Sequence, residues 1–269
     1  MRKRERDFLP DGSDLDAYAG DPGFVVALAR GLTVLRAFRR GDRGLGNQEI
    51  AARTGLPKST ISRLTYTLSS LGYLEYSQDT ARYTLSVSVL ALGFSTLGGL
   101  SVRDVARPFM QQLADEIGSS VALGAADRRT MVYIEQCRGP GLLQVGIQVG
   151  SHIRMVTSAM GRAYLASIDA EPRSRILDEI CSDTDEAEAW RSGVARAVEQ
   201  YRQKGFVTSV GEWKNEMNAV GVPLNLYGAQ PFALNCSGAS HMLTEAMLDD
   251  AGRALIDVAA KIRQSLGEV

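Results

Sequence analysis

The sequence predicts a two-domain α+β protein: a small helical unit with a two-stranded hairpin, then a linker helix, then a larger domain of strands and helices. Three observations carry this. The stretch Gly46 to Leu74, GNQEIAARTGLPKSTISRLTYTLSSLGYL, reads as two short helices joined by a tight turn, the second with a hydroxyl-rich face. Between residues 22 and 85, nine Lys/Arg stand against four acids, a local excess of five positive charges on a chain whose net charge is −1. From residue 101 onward, strands are expected at both ends of the segment with helices between, which suggests one antiparallel sheet flanked by helices.

The first helix is expected from about Phe24 to Arg39, with Leu28, Leu32, Leu35 and Phe38 on its core side and Gly31 allowing close packing in that stripe. The second runs from about Asn47 to Thr54. Asn47 is expected to cap its free N–H groups, and Glu49 suits the positive end of the helix dipole. Gly55 stands where a left-handed residue ends a helix, and Pro57 falls in the first turn of the next, where its missing N–H costs little. Along that third helix, to about Ser70, Ile61, Leu64, Leu68 and Leu71 recur at helical spacing and form the core stripe. Lys58, Ser59, Ser62 and Tyr66 fall on another face, with Thr60, Arg63 and Thr67 beside them. These are donors and acceptors suited to base edges and phosphates, two cations and no carboxylate among them. Residues 73–76 and 83–85 are expected as two strands around the polar turn Ser77 to Thr80, a wing on which Arg82 is a candidate phosphate contact. Three helices and a hairpin make a winged helix-turn-helix, and the local positive charge fits attraction to DNA phosphates. The competing reading, a winged-helix protein-interaction module without specific DNA binding, sits poorly with this charge, because partner surfaces usually need an apolar centre.

A chain of 269 residues exceeds one typical domain and fits two, each with its own core. Hydrophobic content of 45% and charged content of 23% are ordinary for a soluble globular protein. The most apolar run, Val87 to Leu100, has 14 residues and several Gly and Ser, too short to cross a membrane. It is read as a linker helix that buries itself either against a second copy of the chain or against its own domain. A second copy also suits the reading of an inverted-repeat operator. Three unclustered cysteines, Cys137, Cys181 and Cys236, suggest a reducing, cytoplasmic interior, and Asn235-Cys236-Ser237 is read as a chance sequon. Residues 1–22 are polar, with Arg2, Lys3, Arg4 and Arg6 at the start, and are expected to form a flexible tail.

No catalytic site is expected. His152 and His241 are the only histidines and no spacing pairs them with cysteines as metal ligands; neither a G-x-S-x-G elbow, a P-loop nor a G-x-G-x-x-G occurs. No cofactor or metal is expected.

In the second domain (101–269), Ser101 to Asp104 opens a helix with Val105, Phe109, Leu113 and Ile117 inward. Strands are expected at 120–126, 131–137 and 142–149, helices at 159–168, 171–181 and 186–204, further strands at 206–213, 219–224 and 231–236, and a last helix at 244–266. Ser158 and the N–H groups opening the helix after it form a possible anion site, with Ser237 and Asn235 as neutral donors and Met155, Met160 and Met217 as an adaptable wall. Each has a plainer alternative: methionines as core filler, Ser158 as a simple helix cap.

The segments ARGLTVLRAF (29–38), EIAARTGLPKSTISRL (49–64), LGYL (71–74), SAMGRAYLA (158–166), GFVTSVGEW (205–213) and NAVGVPL (218–224) together resemble the IclR family of transcriptional regulators, over roughly Phe24 to Leu266. The Phe24 to Phe38 segment is also similar to the branch controlling aromatic-acid breakdown. The resemblance implies a winged helix-turn-helix (23–86), a linker or dimerisation helix (87–100), a GAF-like effector-binding domain, and a dimer or a dimer of dimers. It implies a cup for a small organic acid at Ser158, Ala159 and Met160, at Ser209, and at Met217, Ala219, Asn235 and Ser237. The chain departs from the family pattern at Ser209, where an acid is common, and at Glu216, where Gly is usual.

Overall fold

The computed structural model describes residues 21–39, 41–98, 101–140, 147–182, 184–227 and 231–268. The expected tail lies outside them except for its last two residues, as does most of the strand expected at 142–149. The chain forms two compact units, one up to residue 99 and one from residue 100.

The first unit holds α1 (Val26–Arg36), α2 (Asn47–Thr54), α3 (Lys58–Ser70), β1 (Leu74–Ser77), β2 (Arg82–Leu85) and α4 (Val87–Gly98). Gly55 leaves α2 in the left-handed region (φ 69), which lets α3 start three residues later; Pro57, at ψ 143, sits just before the helix as its N-cap. The core comprises Val34, Ala37, Leu45, Ile50, Leu56, Ile61, Leu68 and Leu74, with Leu35, Phe38, Ala51, Leu64, Tyr73 and Tyr83 packed on it. Leu45 and Tyr83 exchange backbone hydrogen bonds (both 2.9 Å), so the chain before α2 adds a third rung to the hairpin. The turn between β1 and β2 is completed by Ala81 at φ 51.

Three expectations for this unit need correction. Leu28 and Leu32 are not core residues: they are 62% and 52% exposed, and α1 instead buries Thr33 and Val34. Only the C-terminal half of the expected stripe, Leu35 and Phe38, reaches the core, and a Cβ at Gly31 would meet nothing within 4 Å. Leu71 follows α3 as its C-cap and is 64% exposed, because the helix ends before the stripe can continue. Asn47 does not cap α2. Glu49 does, accepting from the Gly46 N–H (2.9 Å), while Asn47 bonds Ser62 and ties α2 to α3.

The second unit is built on α5 (Ser101–Ile117), β3 (Ser120–Asp127), β4 (Thr130–Arg138), β5 (His152–Arg154), α6 (Ala159–Ser167), α7 (Ala170–Cys181), α8 (Ala187–Lys204), β6 (Val207–Val210), β7 (Met217–Leu224), β8 (Phe232–Ala239) and α9 (Leu248–Ser265), the last preceded by a 3₁₀ turn. The strands form one sheet in the order β5-β4-β3-β8-β7-β6, with every neighbouring pair antiparallel. β5 was not expected from the sequence; its three residues are too few for an alternating pattern to show. Nor is the inward face of α5 the expected one. Val102, Ala106, Met110, Leu113 and Ala114 are buried, whereas Val105, Phe109 and Ile117 are only half-buried.

Alternation along the strands sorts the sheet into two faces. One carries Val121, Leu123, Val220, Val222, Leu234 and Cys236, and with α5 and α9 it makes the apolar core. The other receives α6 at very short range. A Cβ on Gly221 would lie 2.3 Å from the Ala159 carbonyl oxygen, and one on Gly124 would lie 2.3 Å from Met160 Sδ. Glycine at both positions lets the start of α6 rest directly on the sheet.

Candidate nucleic-acid interface and effector cup

On α3, Lys58, Ser59, Ser62, Arg63, Tyr66 and Thr67 are exposed and Thr60 is half-buried, while Ile61, Thr65 and Leu68 turn into the core. Tyr66 is 75% exposed, so its ring stands clear of its own domain. Buried Thr65 donates to the Ile61 carbonyl (2.9 Å) and lies 3.5 Å from Asn47 Oδ1, which holds the helix against α2. Two acids of this unit, Asp42 and Glu49, are engaged elsewhere. Asp42 takes the Arg53 guanidinium at both oxygens (2.6 and 3.0 Å), and that bond holds its carboxyl below the usual carboxylate range. Glu49 accepts from Gly46 N–H, which lowers its pKa, and ion-pairs with Arg82 at 3.0 Å. Arg82 also donates to the Gly44 carbonyl (2.6 Å), so it fastens the wing to the start of α2. Among the described residues, Lys58 and Arg63 pair with no carboxylate and point outward from a helix that carries no acid.

The α6 side of the large sheet is a floor of small and polar residues. Strand register aligns Arg138, Ser120, Ser237, Ala219 and Ser209 in one row across β4, β3, β8, β7 and β6. The next row is Gln136, Ala122, Asn235, Gly221 and Val207. Met217 lies on the same face at the end of β7. The structure thus brings Ser209, Met217, Ala219, Asn235 and Ser237 onto one surface, with Ala159 and Met160 packed above it.

Several of these groups already have partners. Ser158 is the N-cap of α6: its hydroxyl accepts from Gly161 N–H (3.1 Å) and donates to the Arg154 carbonyl (2.6 Å). The plainer alternative for Ser158 therefore describes its hydroxyl. Met155 and Met160 are fully buried, and Ser209 donates to the Thr157 carbonyl (2.9 Å). Asn235, 3% exposed and so closed to glycosylation, reaches the Tyr133 hydroxyl at 3.5 Å and leaves Oδ1 without a partner. Burial pushes the Tyr133 phenol up to about 12, so it stays neutral. Tyr133, Gln136, Arg138 and Ser120 were not anticipated. The signal was present in the alternation of β4, TMVYIEQCR, where Gln136 and Arg138 stand two residues apart and so share one side of the strand.

The edge of the cup is braced by a buried arginine. Arg162, 4% exposed, donates from Nε to the Val156 carbonyl (2.8 Å) and from both guanidinium ends to Glu212 in the loop joining β6 to β7 (2.7 Å at Nη1). Its hydrogen bond lowers the Glu212 pKa against the opposing effect of burial. Gly193 on α8 gives the guanidinium room, since a Cβ there would come within 2.5 Å of Nη2. Burial raises Cys137 to about 11 and Cys236 to about 12, keeping both thiols protonated.

The model of the IclR helix-turn-helix domain matches residues 27–78, and that of the bacterial transcriptional regulator IclR C-terminal domain matches residues 94–264. The chain belongs to the IclR family. It is a DNA-binding transcriptional regulator with a C-terminal effector-binding domain. Over 249 residues it is 31% identical to the HTH-type transcriptional regulator TsaQ1/TsaQ2 of Comamonas testosteroni, spanning 91% of this chain and 89% of that one. An IclR family transcriptional regulator from Brucella abortus has the same fold at a TM-score of 0.84 and 41% identity, over 90% of this chain and 92% of the other. An IclR homolog from Microbacterium hydrocarbonoxydans, solved in complex with 4-hydroxybenzoate, shares the fold at a TM-score of 0.69 and 22% identity, over 90% of this chain and 99% of the other. These IclR-family relatives are regulators rather than enzymes.

Proposed function

We propose that this regulator places α3 in the major groove of an inverted-repeat operator, one copy of the chain per half-site, and that a small organic acid bound on the cup floor controls the grip. The observation that carries the reading is the outer face of α3, two uncompensated cations among hydroxyls with no carboxylate. Lys58, Ser59, Thr60, Ser62, Arg63 and Tyr66 are the proposed groove contacts, and Arg82 a backbone contact from the wing. In this reading 23–86 is the DNA-reading unit, 87–100 the linker and 101–269 the sensor.

Oligomerisation is supported by apolar side chains that the chain leaves outward. Leu28 and Leu32 on α1, and Val87, Leu90 and Leu92 on α4, are all more than half exposed. A second copy would cover them, as a homodimer or a dimer of dimers. The relative bound to 4-hydroxybenzoate supports an aromatic acid as effector. No helix of the described residues is long and apolar enough to cross a membrane, which fits a cytoplasmic regulator.

Coupling has a physical route inside the sensor. β4 carries Gln136 and Arg138 on the cup face and Glu135 on the other. Glu135 lies in ion contact with Arg103 (2.8 Å) and Arg107 (2.9 Å), in the first two turns of the helix that follows the linker. An acid that shifts β4 would therefore move the start of α5. The shift in operator affinity can be no larger than the acid's affinity difference between the two states.

Selection of bound genomic DNA fragments, followed by titration of candidate acids, tests the reading. Enrichment of a two-fold symmetric sequence whose affinity changes with an acid is the expected result. Fragments with no common sequence would refute specific DNA reading, and acids that raise the melting temperature without altering operator affinity would refute the coupling.

A further inference from the structure

Given that the cup takes an acid, we propose that Arg138, with Gln136 and Ser120, holds the effector's carboxylate, and that Asn235 meets a second polar group at its far end. The effector class is then an acid with a hydroxyl or comparable hydrogen-bonding group remote from the carboxylate, and Arg138 decides that it must be an anion.

Arg138 Nη2 donates to Gln136 Oε1 (3.0 Å) and to the Ile147 carbonyl (2.9 Å), both neutral acceptors. Among the described residues it meets no carboxylate. Glu135, close in sequence, lies on the opposite face of the sheet and is held by Arg103 and Arg107. A half-buried guanidinium without a counter-ion is a site that an anion completes.

Space and shape agree. Arg138 and Gln136 line an open depression of about 470 Å³ together with Gln111, Gln148 and Val149. That is three amides, a cation and an apolar side chain, with no acid on the lining. Asp115 bonds Gln111 (2.9 Å) and is not part of it. From this end, Gln136 Nε2 donates to Ser120 Oγ (2.9 Å), and Ser120 pairs in register with Ser237. A polar path therefore runs from Arg138 across the floor into the row that Ser237, Ala219 and Ser209 share.

The far end is set by Asn235. Its side chain is 3% exposed and has one protein neighbour, the Tyr133 hydroxyl, leaving Oδ1 unsatisfied. Exchanging the amide's O and N only moves the unsatisfied atom to the nitrogen. A buried amide atom left alone is costly, and a ligand hydroxyl, which both donates and accepts, satisfies it in either orientation. Arg138 and Asn235 stand two strands and one row apart. That places their backbones about 12 Å from each other, given roughly 4.8 Å between strands and 3.4 Å per residue. An acid whose second polar group lies across a ring or a short chain would have the length to reach from one to the other.

The test is calorimetric titration of the full-length protein with benzoate, 4-hydroxybenzoate and the uncharged 4-hydroxybenzamide. Wild type is expected to prefer 4-hydroxybenzoate to the benzamide by about 30-fold, the scale of one charge-assisted contact. Arg138→Gln removes that preference, weakening both acids about 30-fold while benzamide binding and the melting temperature stay as in wild type. Arg138→Lys restores part of it. Asn235→Ala brings 4-hydroxybenzoate down to the level of benzoate and leaves benzoate unchanged. If wild type binds neither acid, the organic-acid reading falls and this assignment with it. If wild type binds them and Arg138→Gln keeps the preference for acid over amide, only the assignment falls. An equal loss of acid and amide would mark Arg138 as merely structural and overturn it as well.

Discussion

The outer face of α3 and the floor of the cup are made of similar side chains, hydroxyls and amides with one or two cations, but one is convex and exposed and the other concave and largely buried. On α3 nearly every polar atom faces solvent, so the whole face is available to a partner as large as a DNA groove. On the floor, polar atoms are mostly used up by the fold: Ser158 caps its helix, Ser209 bonds Thr157, and only a few groups are left over. A polar face can be read as a surface when it is exposed. When it is buried it has to be read atom by atom, because the unsatisfied atoms are what a ligand can use.

Substitutions that alter the floor's packing are expected to have the largest effects. Gly221→Val sets a side chain against the Ala159 carbonyl and should cost about 3 kcal/mol in the unfolding of the sensor, measured by chemical denaturation. An unchanged midpoint would mean that α6 does not rest on β7. Glu212→Ala leaves the buried Arg162 guanidinium without its partner. The expected cost is about 2 kcal/mol, at the low end for breaking a buried pair because Glu212 itself is open to solvent on one side.

The same pair has a sign that pH can check. The Glu212 pKa is lowered in the fold from an ordinary value of 4.5. Its stabilisation is therefore complete above about pH 4.5 and is lost as pH falls through the lower folded value. The stability gap between wild type and Glu212→Gln should stay level from neutral pH down to that region and then close. A gap that widened in acid would show that the ion pair is not what holds the loop.

Substitutions under α3 should be milder. Thr65→Val removes a buried hydroxyl that bonds Ile61 and approaches Asn47, and should lower the stability of the first unit by about 1 kcal/mol. An effect several times larger would mean that the α2–α3 contact is the main support of the reading helix.

The two regions were also unequally legible in the sequence. α2, its glycine stop and the polar face of α3 follow from local rules of spacing, capping and charge, and the structure places them within a residue or so. Local rules failed where a neighbour decides. Leu28 and Leu32 of α1 match the spacing of a core stripe with Leu35, but the helix leaves these two outward, and only the apolar surface left over explains their type. On α5 the periodicity fitted the half-buried Val105, Phe109 and Ile117 as well as the buried Val102, Ala106 and Met110, and only the sheet selects between them. Glu49 displaced Asn47 as cap because Gly46 offered the nearer free N–H. The cup residues inferred by resemblance share one face, but Arg138, Gln136 and Ser120 join them only through strand register across β4, β3 and β8. Pairings between residues so far apart in sequence leave no trace in any short window.

If the exposed face of α3 reads DNA, Arg63→Ala should weaken that reading without unfolding the first unit. Binding to a selected operator fragment should be followed by fluorescence anisotropy across a range of salt concentrations. The account predicts a loss of about 5- to 100-fold in affinity or a salt dependence shallower by about one phosphate contact, with an unchanged melting temperature. Wild-type affinity and an unaltered salt slope in the folded variant would contradict it.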